Sequence, residues 1–132
     1  MDRQTKDLAI TLKNDRPGEL AKAITAIANM QINIDGFCEI DGKVHLVASD
    51  PANARKALET VGFSVQENDL FVIDAEDRPG FLAEVLRKVS DEEINVISSY
   101  TLTKTRIALA VDQPARMKDI MRELTPATTR NR

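Results

Sequence analysis

An α+β fold made of two βαββαβ repeats is predicted for this chain by three observations. The sequence matches itself at an offset of 62, apolar spacing alternates between strand and helix inside each copy, and each copy carries one Asp-Arg-Pro-Gly break. Leu8–Leu20 reads LAITLKNDRPGEL and Leu70–Leu82 reads LFVIDAEDRPGFL. The tetrapeptide falls at Asp15–Gly18 and Asp77–Gly80, with Leu20-Ala21 and Leu82-Ala83 following it. Ile32-Asn33 matches Ile94-Asn95 in the same register, and Asp50 matches Asp112. Several matches held without a gap indicate an internal repeat rather than chance. The two units are expected at 1–68 and 69–132. Each is small for an independent core.

The elements follow in order. Leu8, Ile10 and Leu12 recur every second residue and predict a strand. Asp-Arg-Pro-Gly ends it. Leu20, Ile24 and Ile27 then recur at helical spacing, and Pro17 suits a first helical turn, where its missing N–H costs nothing. Ile32 and Ile34 open a second strand, turned at Asp41-Gly42, a favoured hairpin pair. Val44, Leu46 and Ala48 return. A second helix starts near Pro51, carries Ala54, Ala57, Leu58 and Val61, and ends at Gly62. Phe63 and Val65 are expected to form a short last strand. The second copy repeats the order: strand Leu70–Ala75, helix Gly80–Ser90, strands Ile94–Thr103 and Arg106–Val111, helix Met117–Leu124. Its last strand is expected to be short or missing, because Thr125–Arg132 has no apolar alternation. Strands and helices in this order belong to the ferredoxin-like class.

Composition narrows the function. Of the 132 residues 42% are hydrophobic and 30% charged, which suits a globular chain with a core and excludes wholesale disorder. The net charge is −3 and no basic block stands out, so no nucleic-acid partner is expected. No apolar run approaches the ~20 residues that span a bilayer, so no membrane partner is expected either. A single cysteine, Cys38, forbids an internal disulfide and makes the cytoplasm the default location. With one histidine, His45, and no tryptophan, neither a metal site nor a catalytic constellation is expected, and no cofactor motif is present. The chain is expected not to be an enzyme.

The Asp-Arg-Pro-Gly turn is the main candidate for chemistry. The amides of Gly18, Glu19 and Leu20, and of Gly80, Phe81 and Leu82, fall at a helix start, where N–H groups lack intrahelical partners and the dipole is positive. Such a turn holds a carboxylate, and Asp15 or Asp77 beside it accepts from an ammonium group. Together they describe a free amino acid or similar small zwitterion. The same residues also serve a purely structural turn, in which Asp caps the helix and Gly eases packing, and both readings stand. Asn33 and Asn95, pointing opposite to Ile32 and Ile94, serve either a ligand or the neighbouring loop. Arg16 and Arg78 are read as solvated turn charges.

One face of the first strand distinguishes the copies. Ala9, Thr11 and Lys13 in copy one are matched at the same offset by Phe71, Ile73 and Ala75 in copy two, with Ile97 beside them. A strand apolar on both sides is covered on both. Phe71, Ile73 and Ile97 are therefore expected to form an interface, and a homodimer built on that face is expected. The alternative function is a non-catalytic interaction subunit that docks the same face on a partner enzyme or regulator.

A strand ending in Asp-Arg-Pro-Gly-x-Leu, a helix of about twelve residues, an Ile-Asn-Ile and a hairpin resemble the ACT domain. The resemblance runs along nearly the whole chain twice, and is specific in Leu8–Ile34 and Leu70–Val96. It implies a stand-alone tandem ACT protein, an allosteric regulatory module that binds amino acids at interfaces between paired ACT units. In serine-binding ACT modules the ligand contacts come from the residue before Arg-Pro-Gly and the Asn after the second strand's Ile. Those places correspond to Asp15 and Asn33, and to Asp77 and Asn95. The family's polar residue two places earlier is Lys13 in copy one and Ala75 in copy two. Where such modules commonly carry Asn, this chain has Asp15 and Asp77, which favours the ammonium end of a ligand.

Overall fold

The computed structural model describes residues 3–12 and 16–124. The chain divides into two compact units. One comprises Thr5–Asn68, and the other takes residues 3 and 4 together with the chain from Asp69 onward. In chain order the elements are β1 (Gln4–Thr11), α1 (Glu19–Asn29), β2 (Ile34–Ile40), β3 (Lys43–Ala48), α2 (Pro51–Thr60), β4 (Gln66–Asp74), α3 (Phe81–Asp91), β5 (Val96–Leu102), β6 (Arg106–Val111) and α4 (Pro114–Ile120). A 3-10 turn, Met121–Leu124, follows α4.

In the first unit β3 lies between β2 and β1, antiparallel to both, with Leu8 opposite Leu46, Ile10 opposite Val44 and Phe37 opposite Leu46. Asp41 and Gly42 both take positive φ (50° and 81°), the pair of angles that lets a two-residue turn match the twist of its strands. Leu8, Ile10, Val44 and Leu46 point to the side where α1 brings Ala23 and Ile27 and α2 brings Ala54 and Leu58. Asp50 caps α2 by accepting the Asn53 N–H at 3.2 Å, and Pro51 occupies the first turn.

The second unit repeats this with β6 between β5 and β4. Phe71, Ile73, Ile107, Leu109 and Val111 face Phe81, Val85 and Val89 of α3 and Met117 and Ile120 of α4. Burying each of these large side chains contributes about 1.5–3 kcal/mol. Leu70 and Val72, on the opposite side of β4, are buried as well, so the strand is covered on both faces.

Here the sequence reading needs correction. Phe71, not Leu70, occupies the place of Leu8: the pairs Leu8–Leu46 and Phe71–Leu109 are each related by 63 residues, as are Ile10–Val44 and Ile73–Ile107. The segment between β1 and α1 spans seven residues, 12–18, whereas that between β4 and α3 spans six, 75–80. The residue is regained in the hairpin, where Thr103–Thr105 replaces Asp41-Gly42. Offset 62 therefore holds for α1, α3, β2 and β5, and 63 for the other elements. Because side chains alternate along a strand, a slip of one residue exchanges its two faces. Phe71 and Ile73 are core residues beneath α3 and α4, not an open interface, and of the expected interface residues only Ile97 is exposed.

Two further expectations change. Phe63 and Val65 do not form a separate strand; they precede β4, which runs unbroken from Gln66 to Asp74 across the boundary between the units. No strand follows α4 among the described residues, and residues 125–132 lie outside them. In the second unit the Val72 N–H instead donates to the Arg3 carbonyl at 2.8 Å, and the Arg3 guanidinium donates to the Met121 carbonyl at 3.1 Å.

Candidate functional site

The sharpest shared feature of the repeats is the turn that opens their first helices. Gly18 and Gly80 stand at the N-caps of α1 and α3 with φ of 93° and 90°, and among the described residues neither helix has a side-chain cap. Glycine alone tolerates this conformation without strain from a Cβ. The Pro residues therefore precede the helices rather than forming their first turns: Pro17 lies in the turn before Glu19. Asp77 does not cap α3 either. Its carboxylate is exposed and makes no hydrogen bond or ion pair among the described residues.

The backbone amides are divided the same way in both units. Glu19 and Phe81 donate back to the carbonyls of Arg16 and Arg78 at 3.3 and 3.4 Å, and Lys22 and Glu84 donate to Gly18 and Gly80. Among the described residues the N–H groups of Gly18, Leu20, Gly80 and Leu82 have no acceptor, as is open to the first N–H groups of a helix. Open amides at the positive end of a helix dipole favour a carboxylate. Leu20 packs partly against the first core and Leu82 is exposed, while the Phe81 ring is buried in the second core. Lys13 and Asp15, both expected at this site, lie outside the described residues.

The asparagines are placed differently. Asn33 and Asn95 are exposed just before β2 and β5. The Asn33 N–H donates to Ser49 Oγ at 3.1 Å, and the Asn95 N–H donates to Asp112 Oδ1 at 2.9 Å. Ser49 is thus the counterpart of Asp112, and Asp50, matched to it in the sequence reading, is instead the α2 cap. The Asn33 side-chain amide donates to the buried Asp35 at 3.0 Å, whereas the Asn95 side chain has no partner among the described residues. At the place of Asp35 the second repeat has the exposed Ile97. Among the described residues no hydrogen bond joins either asparagine to the glycine turn of its own unit. Asp35 was legible only as a polar residue two positions after Asn33.

Arg78 is exposed, as expected of a turn charge, but it is paired. Its guanidinium donates to both oxygens of Glu84 (3.2 and 2.9 Å) and to Glu76, and lies 5.5 Å from the centre of the Phe81 ring. These bonds raise the Arg78 pKa above its ordinary value and hold Glu84 below the usual carboxylate range. Among the described residues Arg16 has no side-chain hydrogen-bond or ion-pair partner. In the hairpin between β5 and β6, Arg106 is buried and folds back onto Thr103, donating to its carbonyl at 2.8 Å.

On the opposite side of the first sheet, His45 Nδ1 lies 2.9 Å from Oδ2 of the buried Asp7. Cys38 is the cross-strand neighbour of His45, and burial pushes its thiol pKa up, away from the thiolate a nucleophile needs. Among the described residues no cluster of three or more His, Cys, Asp and Glu is arranged to hold a metal ion, and no helix is long and apolar enough to cross a membrane.

Comparison with known proteins agrees with this architecture. The chain is 26% identical to a Bacteroides thetaiotaomicron protein of known structure, with a TM-score of 0.82, covering 92% of this chain and 88% of that one. The ligand-free regulatory subunit of aspartate kinase from Thermus thermophilus shares the fold at 18% identity and a TM-score of 0.68, with 93% and 91% of the two chains covered. E. coli aspartokinase III in complex with lysine and aspartate (T-state) matches at 15% identity and a TM-score of 0.58, covering 93% of this chain and 31% of that one. No curated protein matches by sequence. The model of the ACT domain pair matches residues 38–125, about two thirds of the sequence, and the chain belongs to that family.

Proposed function

We propose that this ACT domain pair is a regulatory, non-catalytic module that binds a free amino acid. Its place would be the glycine turn that starts the first helix of a repeat. The α-carboxylate is taken by open amides such as those of Gly18 and Leu20 or Gly80 and Leu82. The ammonium group is taken by Asp15 or Asp77, and Asn33 or Asn95 supplies a neighbouring amide. Binding then shifts an equilibrium in a homodimer or in a partner enzyme. The fold shared with regulatory subunits of aspartate kinase supports a regulatory role. The observation that carries the reading is that both repeats spend a left-handed glycine on a helix start that, among the described residues, no side chain caps. The ACT units would be the functional domains, at 1–68 and 69–132.

The alternative, a subunit docking through Phe71, Ile73 and Ile97, is less well supported, since only Ile97 is exposed while Phe71 and Ile73 lie in the second core. A thermal-shift screen of the twenty amino acids tests the ligand reading. A ligand present at about 100 times its Kd stabilises by ~2.7 kcal/mol, a readily measured rise in melting temperature. Absence of any shift at millimolar concentration would remove free amino acids as ligands.

A further inference from the structure

The two repeats differ most at their outer strands. Among the described residues β5 pairs with β6 alone and β2 with β3 alone, and each outer strand has a bulge near its start, at Ile97 and at Asp35. β2 reads IDGFCEI and carries two acids, Asp35 and Glu39. β5 reads VISSYTL and has neither a charge nor a proline, the residues that keep an open strand from pairing with another chain. The helices differ in the same sense. α3 carries the chain across β6 to β5, and on it Leu82 and Leu86, one turn apart, are exposed. Their counterparts in α1, Leu20 and Ile24, pack against the first core.

Charge says what fits the β5 edge. Asp91 and Glu93 are exposed just before the strand, and Lys104 is exposed just after it. Glu92, between the two acids, is paired with Arg116 at 3.2 Å. Let a second β5 lie antiparallel to the first, with a two-fold axis at Ser99. Passing over the bulge residue, Glu93 of each copy then comes beside Lys104 of the other. A parallel β5 would set Glu93 against Glu93 and Lys104 against Lys104. On β2 a second copy would bring two acids against the same two acids, and like charges across a strand pair are destabilising.

We infer that the β5 edge of the second unit is an interface between two copies of this chain: β5 pairs antiparallel with β5 of a second copy, with its direction set by Glu93 and Lys104. The two-fold makes the contact self-complementary and closed, so one pairing covers the open strand of both copies. Leu82 and Leu86 add apolar surface on the helix that leads into the strand. This rests on the homodimer of the proposed function and not on its amino-acid site.

The test is sedimentation velocity of the full chain over a range of concentrations, with amide exchange of β5 measured alongside. Expected is a dimer that forms with rising concentration and protects the β5 amides not bonded to β6. Ser99→Lys sets like charges together at the axis and weakens the dimer about tenfold or more. Phe37→Lys, on β2, leaves it intact. Lys104→Glu weakens it about threefold at low salt, and adding Glu93→Lys restores it. Amide dispersion shows whether each variant is folded, and the Lys104–Glu93 reversal decides the matter should Ser99→Lys fail to fold. A dimer that survives a folded Ser99→Lys, or is lost in Phe37→Lys, would overturn the inference. So would a dimer indifferent to Lys104→Glu, or one that the double reversal does not restore. Protection of those β5 amides in the monomer would overturn it as well, since the edge is then covered from within the chain. A chain that stays monomeric at every concentration removes the homodimer and this inference with it, while the amino-acid screen is decided separately.

Discussion

The side-chain amide of Asn68 donates to Asp7 Oδ2 at 3.0 Å, tying the last residue of the first unit to the wholly buried carboxylate of its first strand. His45 Nδ1 reaches the same oxygen at 2.9 Å from the neighbouring strand. A carboxylate taken from water survives when hydrogen bonds replace its hydration, and its removal strands the donors around it.

Asp7→Ala is therefore expected to destabilise the first unit by about 2–3 kcal/mol, from the lost charge-assisted bonds and the donors left unmatched. His45→Ala should cost under ~1 kcal/mol, because the His45 side chain keeps 31% of its surface in water and Asn68 still serves Asp7. Urea denaturation of both variants gives the order. A His45 loss as large as the Asp7 loss would mean that the histidine carries the cluster.

The glycine turns make a separate prediction. At Gly18 and Gly80 a Cβ would meet no atom within 4 Å, so space is not what excludes alanine. The backbone is, since φ near +90° is unfavourable for an L side chain. Gly18→Ala and Gly80→Ala are each expected to cost about 1–2 kcal/mol. Asn at the same positions, better tolerated at positive φ, should recover part of it. Thermal melts of the four variants check this, and equal melting of alanine and glycine forms would show that the turn rearranges.

How far the sequence carried the structure can be read from these positions. Asp-Arg-Pro-Gly located both helix starts to within a residue or two, and Asp41-Gly42 located the hairpin, because those residue types have few alternatives to the conformations found. What misled the offset of 62 was a pair of compensating changes: one residue fewer before α3 and one more after β5. The matched words lie between them, so the slip is invisible where identity is highest. It reverses β4, and with it the roles of Phe71 and Ile73. The Arg78–Glu84 grip was hidden for another reason. The two are six residues apart, and only the left-handed turn at Gly80 between them folds the arginine back over the helix.

That grip has an acid signature. Glu84 titrates below its ordinary value of 4.5, first because Arg78 hydrogen-bonds its charged form. A carboxylate depressed in the folded state contributes stability above the unfolded pKa and loses it as pH falls through the folded one. Any stabilisation by Glu84 is thus present at neutral pH and fades below about pH 4.5. Carbon NMR titration of the Glu84 carboxyl should show its midpoint rising in Arg78→Gln. A midpoint unchanged by that substitution would place the cause elsewhere.

The reversal of β4 is open to direct test through two isoleucines that the sequence reading grouped together. Ile73 is wholly buried between Phe71 and the second pair of helices, while Ile97 is 66% exposed on β5. Truncating a buried isoleucine removes its transfer energy and leaves a cavity, so Ile73→Ala should cost about 2–5 kcal/mol. Ile97→Ala, which opens no cavity, should stay within ~0.5 kcal/mol. Ile73→Asp goes further: a carboxylate under α3 and α4 has no partner there, and the second unit should fail to fold rather than merely lose a docking contact. Denaturation of the alanine variants and amide dispersion of the aspartate variant decide the matter. If Ile73→Asp leaves the second unit folded, Ile73 faces outward and the two faces of β4 are the reverse of those described.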